Sequence, residues 1–234
     1  MDGVSNNSFI SFVRELDQTN ADDIAALLEE KYGIEFTVLS VGNRMAFDRA
    51  DRVVAYCCPK ESNEIVFEAI MNINRELVSD NYPVRIIEVK MEQRIKGILA
   101  EAGFVGTVIA GISNIPNARE YGEKDLYAVI SECPEIMITF DTIILHSDQL
   151  KKLYETLENE LMSIYALNHS IKLGTAVWIL SETSFSQISE MVRKKPRLTK
   201  TEIERCVPLG RLVVSVANGE MSVNEESFIT ALGK

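Results

Sequence analysis

The sequence predicts an α+β protein with helices packed on antiparallel sheet, and three observations carry that reading. Apolar residues recur at helical spacing in several stretches, most plainly Leu150, Leu153, Tyr154, Leu157, Leu161 and Ile164. Between those stretches lie runs rich in β-branched and other apolar residues, such as Lys172 to Leu180, bounded by turn-forming residues. The 234 residues are 46% hydrophobic and 25% charged, a balance that supports a sizeable buried core and excludes a disordered or fibrous chain.

Taken in order, Phe9, Phe12, Val13 and Leu16 predict a short amphipathic helix. A second helix runs from about Ala21 to Tyr32, with Ile24, Leu27, Leu28 and Tyr32 on one side, Asn20 as its N-cap and Gly33 as its stop. Strands follow at Ile34 to Val41, Arg52 to Cys58 and Glu64 to Met71, the last two joined by the turn from Pro59 to Asn63. A helix followed by a three-stranded antiparallel meander resembles, in topology, the cystatin-like or PepSY-like style of small module, in which a sheet curls against a helix. The resemblance covers about the first third of the chain and implies no functional residue, because fold does not fix function.

Beyond Asp80, the run Arg85-Ile86-Ile87-Glu88-Val89 fits a strand, but Val84, Ile87, Met91, Ile95, Ile98 and Leu99 keep a helical period, which predicts a helix ending at Gly103. Strands are expected at Val105 to Ile112 and Glu135 to Leu145, separated by a loop around Asn114 to Asn117 and a short helix near Asp125 to Ser131. A shift of 71 positions lays Ile24 on Ile95, Leu28 on Leu99, Glu30 on Glu101, Asn43 on Asn114 and Glu64-Ile65 on Glu135-Ile136. Such matches suggest a duplicated helix-plus-meander module, although any two amphipathic helices followed by strands produce a few of them. Residues 1–146 therefore read as an N-terminal α+β region holding two related modules, about 20–79 and 80–146.

Ser147 is the expected N-cap of the long helix that follows. After the strand at Lys172 to Leu180, the pairs Ser184 with Gln187 and Thr199 with Glu202 read as capping boxes for helices near Phe185 to Arg193 and Lys200 to Arg205. Leu212 to Ala217 is the last expected strand and Ser222 to Leu232 a closing helix. Residues 147–234 thus form a C-terminal α/β region, separate or packed into the same domain.

The net charge of −11 repels nucleic acid and anionic membrane, so neither is an expected partner. The segment Met1 to Ser8 lacks the basic head and apolar middle of a secretory signal, and Asp2 stands where myristoylation needs glycine. No apolar stretch approaches the roughly 20 residues of a membrane span. A soluble, cytoplasmic protein is expected.

Candidate chemistry is sparse. Cys57, Cys58, Cys133 and Cys206 lack metal-site spacing, so no metal site is expected and the thiols read as buried and reduced. Catalysis would fall to His146 or Cys133, yet neither has a base or acid placed beside it by sequence, and His146 and His169 fit helix-end or surface roles equally. Asp48, Asp51, Glu123, Asp125, Glu225 and Glu226 follow no calcium-loop pattern, and Gly103, Gly106 and Gly111 form no phosphate loop, so no cofactor is expected. The one local charge anomaly is the basic cluster of Arg193, Lys194, Lys195, Arg197 and Lys200. It reads either as cations at a helix C-terminus or as a docking patch for an acidic protein or phosphate. The first expectation is a non-catalytic interaction or assembly component that contacts another protein, or itself as a homo-oligomer, through a sheet edge or face. The alternatives are a hydrolase or transferase using carboxylates or a Cys/His pair, and nucleic-acid or phosphate binding through the basic cluster.

Overall fold

The computed structural model describes residues 6–43, 52–115, 118–122, 124–194 and 198–233, with side chains except at 6–17, 43 and 194. The protein is α+β, and its chain divides into two compact units at Tyr82 and Pro83.

The first unit is one helix and a meander. Helix α1 (Asn6–Tyr32) runs unbroken through Asn20, so the two helices expected there are one and Asn20 is not a cap. The stripe of Phe9, Phe12, Val13 and Leu16 lies in this helix, with its side chains outside those described. Gly33 ends the helix at φ +72°, a left-handed conformation that costs glycine little, and its N–H returns to the Glu29 carbonyl. Strands β1 (Phe36–Asn43), β2 (Arg52–Pro59), β3 (Phe67–Asn72) and β4 (Leu77–Asp80) pair antiparallel in that order. Ile24 and Leu28 of the helix pack on Phe36, Ala55, Cys57, Phe67, Ala69 and Met71. The meander has four strands where three are expected, because β4 is only four residues long and carries no run of apolar residues.

The second unit begins at Pro83, one residue into α2 (Tyr82–Glu101), the helix its 3.6-residue period predicts, with Ile87, Met91, Ile95 and Leu99 all buried. There follow β5 (Gly106–Ser113), α3 (Ala118–Tyr121), α4 (Leu126–Glu132), β6 (Met137–Leu145), α5 (Leu150–Leu167), β7 (Lys172–Leu180), α6 (Glu182–Lys194), α7 (Lys200–Arg205), β8 (Gly210–Ala217), β9 (Glu220–Met221) and α8 (Glu225–Leu232). The five strands form one sheet in sequence order. β6 and β7 are parallel across the α5 crossover and the other pairs are antiparallel. The boundary expected between 146 and 147 is therefore corrected, since it falls between two strands paired along their whole length. The second module is also not a meander. The 71-residue shift relates α1–β1 to α2–β5, but carries β2 onto 123–130, a segment that includes most of α4.

Several local signals act as expected and others act from a neighbouring residue. Thr199 and Glu202 form the reciprocal capping box at α7. α6 starts earlier than its expected box, with Ser181 Oγ accepting from Ser184 N. Ser147 Oγ accepts from Gln149 N, one turn ahead of α5, whose N-cap position is Gln149.

One face of the five-stranded sheet is covered by α2, α4, α5 and α8, which bury Val129, Ile130, Leu157, Leu161, Ile164 and Phe228 against Ile138, Phe140 and Ile144. Helix α2 also reaches the free side of edge strand β5. Glu92 Oε1 accepts from Ala110 N at 2.9 Å and Glu88 Oε1 from Ile112 N at 3.0 Å, giving the edge N–H groups the acceptors they would otherwise lack. Arg85 joins the two acids, at 2.6 and 2.8 Å to Glu92 and 3.3 Å to Glu88. Burial raises the Glu92 pKa above the usual carboxylate range, against the lowering pull of Arg85 and the Ala110 N–H. Arg94 grips Glu160 of α5 through two bonds at 2.6 and 2.9 Å, fixing the angle between those helices.

Breaking a buried charge network by removing one member costs about 3–5 kcal/mol, and leaving one buried N–H unpaired about 1–3 kcal/mol. Glu92→Ala, which takes two bonds from Arg85 and one from Ala110 N, should therefore destabilise more than Glu88→Ala in urea unfolding followed by circular dichroism. Equal, near-zero losses would show that the network adds nothing net.

Candidate functional site on the second face of the sheet

The opposite face of the five-stranded sheet is only half covered. α6, α7 and the residues flanking α7 bring Ile188, Ile203, Leu198 and Cys206 onto Ile109, Ile143, Trp178 and Leu180. Beyond them the face is open, because strand register sets small residues side by side: Gly111 of β5 against Thr139 of β6, Thr139 against Gly174 of β7, and Gly174 against Ser215 of β8. Four strands at about 4.8 Å spacing make this row roughly 14 Å long. Adjacent to it runs the row Ile109, Asp141, Ala176 and Val213. Together they floor a groove of about 470 Å³ whose rim includes Lys172 and Leu198. Val213 is 53% exposed on one wall. A Cβ at Gly174 would come within 3.1 Å of the Val214 carbonyl oxygen on the paired strand, so glycine there lets β7 and β8 approach closely.

Asp141 is the one carboxylate among the residues lining this groove. Its Oδ1 accepts the indole N–H of Trp178 at 2.7 Å, and the Arg211 guanidinium lies over that indole ring, 4.7 Å from its centre. No described residue donates to the other carboxylate oxygen. Partial burial raises the Asp141 pKa, with the Trp178 hydrogen bond and the Arg211 charge pulling the other way. The arrangement presents an acceptor at the centre of an apolar, small-residue floor, suited to an N–H or cationic donor. Sequence reading misses Asp141. The available signal is an acid in the middle of the otherwise uncharged run Met137 to Leu145.

The residues singled out by type are not brought together. Cys133 is fully buried behind α4, before β6 starts, whereas His146 follows its end, so the two are separated by about 30 Å of strand. The His146 side chain is 60% exposed, with Nε2 3.8 Å from the fully exposed Asp148, beside a smaller depression walled by Leu150, Leu209 and Leu232. His169 is exposed and packs against the Tyr165 ring. In the basic cluster, Arg193 is exposed and Lys200 is paired at 3.4 Å with Glu204. Lys195, Arg197 and the Lys194 side chain lie outside the described residues, as do Asp48, Asp51 and Glu123. Asp125 caps α4 by accepting from Tyr127 N, and Glu225 pairs with Lys151. Among the described residues no group of three or more His, Cys, Asp or Glu is placed to hold a metal ion, and no helix is long and apolar enough to cross a membrane.

No family model and no curated protein matches the chain. Among solved structures, the crystal structure of a DUF5037 family protein from Ruminococcus gnavus ATCC 29149 is similar, with a TM-score of 0.64 and 17% identity over 91% of this chain and 98% of that one. The likeness establishes that the α+β arrangement is a known fold.

All four cysteines are buried and unpaired; burial pushes Cys57 up to about 12 and raises Cys58 and Cys206 as well. Iodoacetamide at neutral pH should therefore label the folded protein at least ~10-fold more slowly than the unfolded chain, read by mass spectrometry. Rapid labelling of a single native thiol would contradict this. For Asp141, a raised folded pKa means the ionised carboxylate opposes folding: the cost is absent below the unfolded pKa and grows as pH rises through the folded one. Asp141→Asn keeps an acceptor for Trp178, so its unfolding free energy should gain on wild type as pH rises from 3 toward 7, the reverse of a salt-bridged aspartate.

Proposed function

We propose that the chain is a non-catalytic, cytoplasmic interaction component whose groove takes an extended segment of a partner protein. The observation that carries this reading is the row Gly111, Thr139, Gly174 and Ser215, side by side across four strands and left open by α6 and α7. At about 3.3 Å per residue, a row of roughly 14 Å accommodates about four residues of extended chain. The floor lets a backbone approach closely, Val213 and Leu198 supply apolar walls, and Asp141 supplies an acceptor. A segment pairing apolar residues with a lysine or arginine fits best, since the chain's net charge of −11 attracts a basic partner and Asp141 can take its proton-bearing nitrogen.

Trp178 is the single tryptophan and is bonded to Asp141, so its fluorescence reports on the groove. Random peptides displayed on phage and selected on the full chain should converge on short apolar and basic sequences, and the synthetic peptides should shift Trp178 emission on titration. Ser215→Arg fills an exposed position on the floor and should weaken binding more than ~10-fold, about 1.4 kcal/mol, without moving the unfolding midpoint. Failure to select any peptide, or binding that leaves both Trp178 emission and the Ser215→Arg affinity unchanged, would overturn the reading.

A further inference from the structure

Beside the Asp141 acceptor stands a cation that a purely basic segment would leave unused. Arg211, Val213 and Ser215 occupy alternate positions of β8, so the exposed Arg211 shares the groove face with the two residues that line it. Register sets Arg211 opposite Trp178 on β7, and its guanidinium lies over the indole, 4.7 Å from the ring centre. Asp141 meets the same indole at its edge, through the 2.7 Å bond from Nε1. One buried, rigid ring thus holds an anion at its edge and a cation over its face. The two are close enough to interact, since burial raises the Asp141 pKa and the Arg211 charge, with the Trp178 bond, opposes that rise. They nevertheless form no ion pair. Among the described residues no oxygen accepts from the Arg211 guanidinium, and no donor reaches the second Asp141 oxygen. A guanidinium over an aromatic face keeps its N–H donors, which lie at the rim of its plane, available to an outside acceptor.

We propose that the groove selects a dipolar segment, with a lysine or arginine on Asp141 and, two residues away, a glutamate or aspartate on Arg211. This rests on the groove taking an extended segment of a partner, and it names the second charge of that segment. Alternate residues of an extended chain share one face, roughly 6.6 Å apart, so two of its side chains reach the edge and the face of a single indole. Charge complementarity favours this occupant over a purely basic one. A lone cation gains Asp141 but meets the like charge of Arg211, whereas an acid two residues away offsets that repulsion and fills the open guanidinium. The net charge of −11 draws the basic residue in, and the local pair sets where the acid must stand.

The test is peptide selection on the full chain and on its Arg211→Gln and Arg211→Glu variants, both at an exposed position, with folding checked by circular dichroism. Selection on wild type should place an acid two residues from the basic position. That preference should vanish on Arg211→Gln and turn to lysine or arginine on Arg211→Glu. In titrations followed by Trp178 emission, replacing the peptide's acid by glutamine should weaken binding to wild type about 5-fold and to Arg211→Gln less than ~2-fold, the coupling expected of a direct charge pair. The wild-type comparison stands even where a variant fails to fold. Peptides that bind and shift Trp178 emission with no preference for an acid, or with a preference that survives Arg211→Gln, would overturn this inference and leave the groove reading intact. Failure of every peptide to bind would overturn both.

Discussion

The arrangement of the second unit depends on how the β5 edge is closed. An edge strand leaves every second backbone N–H without a partner, and a helix laid beside it usually offers only side chains that are too short or too apolar to help. α2 solves this with Glu88 and Glu92, one turn apart, whose carboxylates reach Ala110 N and Ile112 N. The two carboxylates, Glu88 buried and Glu92 half-buried, repel one another, and Arg85 on the same helix stripe offsets that repulsion. A buried ionic network of this kind adds little net stability over a well-packed apolar one, whereas removing one member leaves an uncompensated buried charge. Only in one axial position and rotation does α2 satisfy both N–H groups, and that rotation is also the one that points Ile87, Met91, Ile95 and Leu99 into the core.

With α2 so fixed, α4, α5 and α8 complete the covering of one sheet face, leaving the second for α6 and α7. Those two helices are thirteen and six residues long and reach only the end of the sheet around Ile143, Trp178 and Leu180. The remaining face cannot be apolar and bulky without costing solubility, and it is not: small residues and hydroxyls occupy the open row. Trp178 stands at the junction, buried under the helices yet bonded at its indole nitrogen to the carboxylate in the groove. The groove is thus a direct consequence of cover that stops halfway along the strands.

Much of the fold was legible because burial imposes period. The helical stripe from Val84 to Leu99 decided α2 against a strand of equally β-prone residues, and β7 and α7 were bounded where turn and capping residues stood. What escaped was either too short to show a period, as in β4 and β9, or depended on contacts distant in sequence. The parallel pairing of β6 with β7 is of the second kind: nothing in Met137 to Leu145 distinguishes a parallel partner from an antiparallel one, so the boundary was drawn through the sheet. Asn20 misled for a physical reason, since a residue favoured at caps is tolerated within a long helix held by tertiary contacts.

The site was less legible than the fold, and the cause is register. Gly111, Thr139, Gly174 and Ser215 are unremarkable separately; they become one surface only when four strands are aligned, and the alignment rests on the hydrogen bonds that link β5 to β8 through β6 and β7. His146 and Cys133 attract notice by type, yet an entire strand separates them. Asp141 carries the opposite lesson. An acid in a strand with apolar neighbours on both sides must either find a donor or face solvent, and Asp141 does both, accepting from Trp178 with one oxygen and opening the other to the groove. A charge kept where burial raises its pKa opposes folding slightly at neutral pH. An N–H or cation reaching the second oxygen would lower that cost.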